Sequence, residues 1–272
     1  MVEPRQAADV DIQFMDNLAS RYDALVTKDF EVYHRRRLHP FLDRLAKEMP
    51  GGSLLDVGCG TAAVGLAAAQ RGFRVVGIDH TPAMIEVAQQ KARSSGLDER
   101  ISFVAGDVES MPFTDGQFDA VACQQMLHHL PDIRPCIAEI ARVLRPNGRY
   151  YIADVCRDRT PLKALIVGAK GSLVRIDNVK RLNGAAAADV GLTADLNSDD
   201  EYPISRDELL RTLDQFGLER DSLSFMTHLG VRSYLKPVVR EGLIRALSFP
   251  WRHSRGDLLF TTGTRQAPPG SD

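Results

Sequence analysis

The sequence predicts a doubly wound α/β fold with a mostly parallel, seven-stranded sheet. Between residues 53 and 155, short apolar segments typical of strands alternate with amphipathic segments typical of helices, which is the pattern of a sheet covered on both faces. A glycine-rich turn, Gly58-Cys59-Gly60, joins the first strand to its helix, and polar residues recur where the strands end. Ligands of such sheets bind at the carboxyl ends of the strands, so these residues predict a binding site there.

The composition is that of an ordinary globular protein and limits the classes of partner. The chain has 272 residues, of which 44% are hydrophobic and 26% charged, and its net charge of −2 gives no basic field to attract nucleic acid. It lacks a signal-peptide core and any apolar run of about 18 residues, so we expect no stable membrane insertion. The four cysteines lack the paired spacing of zinc sites or disulfide frameworks, which favours a cytoplasmic protein. A homodimer is compatible with all of these features.

The first predicted strand, Ser53 to Val57, runs through the glycine turn into an Ala-rich helix, Ala62 to Gln70. Such a turn brings backbone N–H groups and a helix N-terminus close to a ligand, which side chains at Gly58 or Gly60 would hold away. Asp56 adds a carboxylate at the end of the strand, where it suits binding of a cation better than it suits packing.

The second predicted strand, Arg74 to Asp79, ends on an acidic residue 19 positions after Gly60. A carboxylate at this spacing can accept hydrogen bonds from the two hydroxyls of a ribose, which both dinucleotides and S-adenosylmethionine (SAM) contain. Gly58, Gly60 and Ala63 satisfy the looser glycine pattern of dinucleotide sites, so that class stays open. Asp56 would repel a pyrophosphate but suits the ammonium and sulfonium groups of SAM, so the electrostatics favour SAM.

The rest of the core continues the alternation of strand and helix. Asp107 and Gln124 follow the third and fourth strands, so they should share one sheet edge with Asp56 and Asp79. Structural carboxylates have no reason to gather at one edge, which favours a cofactor site. The predicted strands are Ile101–Ala105, Phe118–Cys123 and Arg149–Val155, and the predicted helices run from Pro82 to about Gly96 and from Asp132 to Leu144, with a turn at residues 145–148.

Five motifs form a specific set between residues 53 and 155: Leu-Leu-Asp-Val-Gly-Cys-Gly-Thr, Gly-Ile-Asp, Gly-Asp-Val-Glu-Ser-Met-Pro-Phe, Leu-His-His-Leu and Val-Leu-Arg-Pro-Asn-Gly-Arg. As a set they resemble the class I SAM-dependent methyltransferases, and more narrowly the branch that includes the ubiquinone/menaquinone-biosynthesis type enzymes. The resemblance implies a Rossmann-like methyltransferase fold with a helical lid, and a reaction that converts SAM to S-adenosylhomocysteine.

The resemblance also implies individual roles at the sheet edge. The glycine turn would hold the methionine portion of SAM, Asp79 the ribose and Asp107 the adenine amine, while Met84 packs on the adenine ring and Val108 offers its backbone. Ala62 departs from the family, which usually has a third glycine there. The predicted cofactor-binding set is Tyr22, Asp56, Gly58, Cys59, Gly60, Asp79, His80, Met84, Asp107, Val108 and Gln124.

Two helices are predicted within the N-terminal 50 residues. Tyr22-Asp23 on the first is similar to a pair that closes over the cofactor in this branch, although a tyrosine on an apolar helical face can equally belong to the core. A closed lid would exclude water from an alkylating cofactor. The run Arg35-Arg36-Arg37 on the second helix suggests phosphate binding, but three consecutive helical residues fan over ~200°, which favours a solvated face.

His128 and His129 follow the fourth strand and are the candidates for a general base, with His128 nearer the strand end. Methyl transfer is a direct displacement that mainly requires alignment, so a base is needed only if the acceptor must lose a proton. The alternative is that one histidine caps the next helix while the other packs. Consecutive side chains should point apart, so no shared metal is predicted.

The family pattern breaks after Val155. The following segment must emerge over the carboxyl edge of the sheet, which predicts an inserted cap, and Ser205 then opens a helix with a capping box. The last two strands, predicted at Leu218–Thr227 and Asp257–Gly263, resemble the antiparallel final pair of the family. The predicted divisions are residues 1–50 (lid), 51–155 (SAM-binding core), 156–204 (cap), 205–264 (completion of the sheet) and 265–272 (disordered tail).

The sequence therefore predicts a cytoplasmic SAM-dependent methyltransferase acting on a small organic acceptor. Carbon or oxygen is favoured over nitrogen as the methylated atom, in quinone-like or secondary-metabolite biosynthesis. Two alternatives remain: an NAD(P)-dependent oxidoreductase and a SAM-binding protein without catalytic activity.

Overall fold

The computed structural model describes residues 19, 34–156, 202, 204–226 and 258–267. The predicted lid pair Tyr22-Asp23 and nearly all of the predicted cap lie outside these residues. Within the described part of the chain, no helix is long and apolar enough to cross a membrane.

The described residues include seven strands and five α-helices. A π-helical turn, His34–Leu38, leads into the first helix, and a 3-10 turn, Leu127–His129, follows the fourth strand. The strands are β1 (Ser53–Val57), β2 (Arg74–Asp79), β3 (Ile101–Ala105), β4 (Phe118–Gln124), β5 (Leu144–Val155), β6 (Leu218–Met226) and β7 (Leu258–Arg265). The α-helices are α1 (His39–Glu48), α2 (Ala63–Ala69), α3 (Pro82–Ser94), α4 (Arg134–Val143) and α5 (Arg206–Gln215).

The strands form one sheet in the order β3-β2-β1-β4-β5-β7-β6. The first five are parallel, and β7 runs antiparallel to both β5 and β6. The strand order reverses between β1 and β4, and ligands of doubly wound folds bind in the crevice at that point. The predicted seven-stranded, mostly parallel sheet with an antiparallel final pair is confirmed.

The fifth strand differs from its prediction. The expected turn at residues 145–148 lies inside β5, because Phe118 pairs with Leu144 whereas Ala120 pairs with Arg149. The intervening residues bulge from the ladder, where Pro146 has no N–H to donate. The preceding helix consequently ends at Val143 rather than Leu144.

Two apolar clusters cover the sheet, one on each face. Successive residues of β5 alternate between them, with Tyr151 in the cluster that contains α1 and Tyr150 in the cluster that contains α4. On the second face, Ser205 is the N-cap of α5, and its Oγ atom accepts a hydrogen bond from Glu208 N at 3.1 Å, as the predicted capping box requires.

The arginine run before α1 does not form a uniformly solvated face. Arg35 is exposed, whereas Arg36 and Arg37 are partly buried. The guanidinium carbon of Arg37 lies 5.8 Å from the ring centroid of Phe260 in β7, within the range of a cation–π contact. The solvated-face interpretation is therefore wrong for Arg37, because the turn that carries it packs against the sheet.

Candidate active site

The turn between β1 and α2 has the backbone of a ligand cradle. Gly58, Gly60 and Ala62 all have positive φ angles, of 63°, 49° and 64°. A side chain added at Gly60 would meet nothing within 4 Å, so the turn is open there to a ligand. At Gly58 an added Cβ would instead overlap the side chain of Met126, so packing of the chain itself already requires this glycine.

Asp79 ties this turn to the next strand and helix. Its Oδ2 atom accepts a hydrogen bond from Gly60 N at 2.7 Å, and Oδ1 accepts one from Thr81 N at 2.9 Å. Thr81 occupies the N-cap position of α3 and makes no side-chain cap bond, and the aspartate satisfies the N–H of the N-cap residue itself. Each carboxylate oxygen has a second lone pair, which leaves acceptor capacity for ribose hydroxyls.

Asp56 lies beneath the turn rather than on an open surface. The residue is only 2% exposed, and its Oδ2 atom accepts a hydrogen bond from Gly65 N in α2 at 2.8 Å. Burial raises the pKa of this carboxyl to about 7, the Gly65 N–H lowers it, and the charge of Asp79 raises it. The expected carboxylate at the strand end is present, but it faces the helix.

The other predicted cofactor residues divide between buried and exposed positions. Cys59, Met84 and Val108 are buried. Met84 is only 1% exposed, so its side chain could contact the adenine ring only in a pocket that is closed to solvent. His80 and Asp107 are exposed, and Asp107 Oδ1 accepts a hydrogen bond from Glu109 N at 2.8 Å. Cys59 follows β1, His80 and Met84 follow β2, and Asp107 and Val108 follow β3.

Gln124 is the last residue of β4 and contacts the N-terminal region. Its Nε2 atom lies 2.7 Å from Nε2 of His34. Burial, assisted by the charge of His39, lowers the pKa of His34 to about 4, so the neutral ring can accept this bond from the amide. Local sequence patterns do not indicate this pairing, since the two residues are 90 positions apart.

His128 pairs with an aspartate that sequence reasoning missed. Oδ1 of Asp154 lies 2.6 Å from Nδ1 of His128, and both residues are buried. Oδ2 of the same aspartate accepts hydrogen bonds from Met126 N at 3.1 Å and Leu127 N at 2.7 Å. Asp154 therefore holds both the ring and the backbone of the loop that carries it. An acidic residue in the otherwise apolar stretch 150–155 of β5 was the available signal.

The pairing determines which nitrogen of His128 is basic. With Nδ1–H donating to the carboxylate, the lone pair of the neutral ring resides on Nε2. A histidine oriented in this way by a buried carboxylate is the arrangement of base and orienting group that proton abstraction requires.

The rings of His128 and His129 lie side by side, contrary to the expectation that they point apart. Their centroids are 4.1 Å apart, and the ring planes are inclined by 37°. Both residues lie in the 3-10 turn Leu127–His129. Among the described residues no group of three or more metal-ligating side chains is present.

Both ends of the predicted cap attach beside this site. Ile204 N donates to Val155 O at 3.1 Å, and Tyr202 N donates to the backbone oxygen of His128 at 2.7 Å. The intervening chain thus leaves and rejoins the carboxyl edge next to His128. That it covers the site stays a prediction.

Comparison with known proteins identifies the family. Residues 55–152 match the family described as "Methyltransferase domain". The 27-O-demethylrifamycin SV methyltransferase of Amycolatopsis mediterranei (strain S699) is 31% identical over 207 residues, which cover 74% of this chain and 68% of that protein. The chain belongs to the class I SAM-dependent methyltransferases. The predicted family, and with it SAM as the cofactor, is confirmed, and the nicotinamide alternative loses its support.

Other similarities are shorter or concern the fold alone. A ubiquinone biosynthesis O-methyltransferase of Xylella fastidiosa (strain 9a5c) is 35% identical over 47% of this chain and 53% of its own length. The chain matches about half or less of the length of the first curated relatives. A structure of geranyl diphosphate methyltransferase in complex with SAM has a TM-score of 0.57 at 22% identity, covering 85% of this chain and 84% of that one.

Proposed function

We propose that this methyltransferase-family protein transfers the methyl group of SAM to a hydroxyl oxygen or an enolisable carbon of a small organic acceptor, with His128 as the general base. The observation that carries the proposal is the 2.6 Å pairing of His128 Nδ1 with the buried Asp154. An acceptor that is already a good nucleophile needs alignment only, whereas a hydroxyl or a C–H acid must lose a proton.

The names of the relatives support an oxygen acceptor. The rifamycin and ubiquinone enzymes are both named for O-methylation, and the rifamycin enzyme matches most of the present chain. A hydroxyl group of a secondary metabolite or quinone precursor is therefore the substrate class we propose first.

The cofactor mapping rests on the residues of the sheet edge. Asp79, fixed by two backbone N–H groups, would accept the ribose hydroxyls, and the open turn at Gly60 would face the methionine portion. Asp107 and Val108, on the loop after β3, would face the adenine. Bound SAM supplies the electrophilic methyl group.

The chain's own residues then handle the acceptor proton. As the acceptor oxygen attacks, its proton passes to Nε2 of His128, and the ring becomes an imidazolium. The carboxylate of Asp154 stabilises that cation and keeps the ring in place, because it is itself held by the N–H groups of Met126 and Leu127.

The experiment begins with calorimetric titration of SAM and of NAD. Methyl-labelled SAM is then supplied with catechol, hydroquinone, 3,4-dihydroxybenzoate and ethyl acetoacetate as probe acceptors, and methylated products are identified by mass spectrometry. We expect SAM binding and O-methylation of at least one phenolic probe. Binding of NAD without SAM would restore the oxidoreductase alternative, and SAM binding without any product would favour the non-catalytic one.

A further inference from the structure

The loop between β3 and β4 carries Asp107 and Val108 and is fastened to α4 by two charged side chains. Glu139 Oε2 accepts a hydrogen bond from Met111 N at 2.6 Å. Arg142 donates to two backbone oxygens of the same loop, from Nη2 to Met111 O at 3.0 Å and from Nη1 to Phe113 O at 2.7 Å. Gly116 N also donates to the backbone oxygen of Arg142 at 2.8 Å, so the loop backbone is held at four atoms by one turn of one helix.

The two side chains also hold each other in a two-pronged ion pair. Arg142 Nε lies 2.6 Å from Glu139 Oε1, and Nη2 lies 2.7 Å from Oε2. Hydrogen bonds from Arg142 keep the pKa of Glu139 below its usual range, so the carboxylate stays charged. A planar guanidinium can serve a carboxylate and two carbonyls at once, which a lysine cannot do.

The segment nearest the sheet edge is tied to the sheet at its start, where Gly106 N donates to Asp79 O at 3.0 Å. Asp107 bonds within its own turn, through Oδ1 to Glu109 N and through its backbone oxygen to Ser110 N at 3.3 Å. Such bonds fix the shape of the turn but not its position relative to the sheet. Beyond Gly106, the position is set by the burial of Val108 and Met111 and by the clamp that Glu139 and Arg142 form.

From this geometry we infer that Glu139 and Arg142 are positioning residues for the adenine end of the cofactor. They hold the loop so that Asp107 and Val108 lie at the sheet edge before the cofactor arrives. The inference rests on the proposed function, since it takes these two residues to be the adenine contacts. Neither clamp residue touches the methyl-transfer site, so its removal should weaken cofactor binding without slowing the chemical step.

Three substitutions separate the parts of the clamp. Glu139→Gln keeps an oxygen that can accept from Met111 N, whereas Glu139→Ala removes it. Arg142→Lys keeps the positive charge but loses the planar fork. Arg71→Gln is the matched control, because Arg71 likewise bonds an acid, Asp43 at 2.7 Å, and a backbone oxygen, Ala67 O at 2.8 Å, far from the loop.

The first measurement is calorimetric titration of the full chain with S-adenosylhomocysteine. We expect Glu139→Ala and Arg142→Lys to bind about tenfold more weakly than the wild type, because the loop then occupies its binding position for only a fraction of the time. Glu139→Gln should lose less, and Arg71→Gln should bind like the wild type. At saturating SAM, all four variants should turn over a probe acceptor at near wild-type rates.

The second measurement is hydrogen exchange of the protein without cofactor. Peptides covering residues 107–113 should exchange faster in Glu139→Ala than in the wild type, while peptides from β1 should not change. Wild-type affinity in all clamp variants, an equal loss in Arg71→Gln, or unchanged exchange in the loop would overturn the inference. Failure of the wild type to bind S-adenosylhomocysteine is a different result, which would overturn the proposed function itself.

Discussion

Oδ1 of Asp154 lies 2.6 Å from Nδ1 of His128, although the two residues are 26 positions apart. They meet because β4 and β5 are neighbours in the sheet and His128 follows the first while Asp154 lies near the end of the second. Both are buried, so the pair interacts where water does not screen it. This relationship distinguishes His128 from His129 and makes the proposed general base testable.

Replacing His128 with Ala should lower turnover of a responsive probe acceptor by about 10²-fold, the usual cost of losing a general base. SAM affinity should stay near that of the wild type, because the ring is not among the proposed cofactor contacts. His129→Ala, the adjacent control, should keep most of the turnover. Equal turnover in both single variants and the wild type would mean that the histidines are structural.

Asp154→Asn tests the orienting group. An asparagine can present its NH₂ group to Nδ1 and so favour the tautomer with the proton on Nε2, which cannot accept a proton from the acceptor. We expect turnover to fall by about 10²–10⁴-fold with little change in SAM affinity. Steady-state kinetics and calorimetry on the same preparation check this. A fall in SAM affinity alone would instead indicate a role in the cofactor site.

Asp79→Ala should weaken SAM binding by about 1.5–3 kcal/mol, since hydrogen bonds to a charged group are lost. The substitution also removes the acceptor of Gly60 N and Thr81 N, so the glycine turn should loosen. Asp79→Asn keeps an oxygen for one of these donors and should lose less affinity. Unchanged affinity in a folded Asp79→Ala protein, measured by calorimetry, would refute the ribose assignment.

The stability of the protein should depend on pH through Asp56. Its pKa is raised by burial from 3.8 to about 7 in the folded state, so between these values the folded protein binds more protons than the unfolded chain. The resulting stabilisation is present below about pH 4 and is lost as the pH rises to about 7. Relative to the non-titrating Asp56→Asn variant, the wild type should lose on the order of 2–4 kcal/mol in unfolding free energy over this range. Urea unfolding curves that stay parallel at every pH would contradict the shift.

Ala62→Gly should stabilise the protein by up to about 1 kcal/mol. Ala62 has a φ angle of 64°, where a side chain is strained and glycine is not. Ala68→Gly is the matched control, because Ala68 is as buried as Ala62 but lies inside α2, where glycine should cost about 0.5–1 kcal/mol. Thermal unfolding of both variants gives the comparison, and destabilisation by Ala62→Gly would show that the strain is relieved by other means.

Much of the fold could be predicted because its signals are local. The bounds of β1, β2 and β3 follow from short apolar runs and the glycines and prolines beside them, and the positive φ angles of Gly58 and Gly60 follow from residue type. The gathering of polar residues at one sheet edge follows from the rule that parallel strands share a direction.

Other features depend on which segments become neighbours, and only the tertiary structure decided them. From the sequence alone, Asp154 is an acidic residue among apolar neighbours with no evident role. In the structure β5 lies beside β4, and this places Asp154 against His128. The sequence predicts Arg37 to be part of a charged surface, whereas in the structure its guanidinium lies over the ring of Phe260. Contacts between residues so far apart in the chain follow from strand order and packing, whereas periodicity and residue type describe only the few residues around each position.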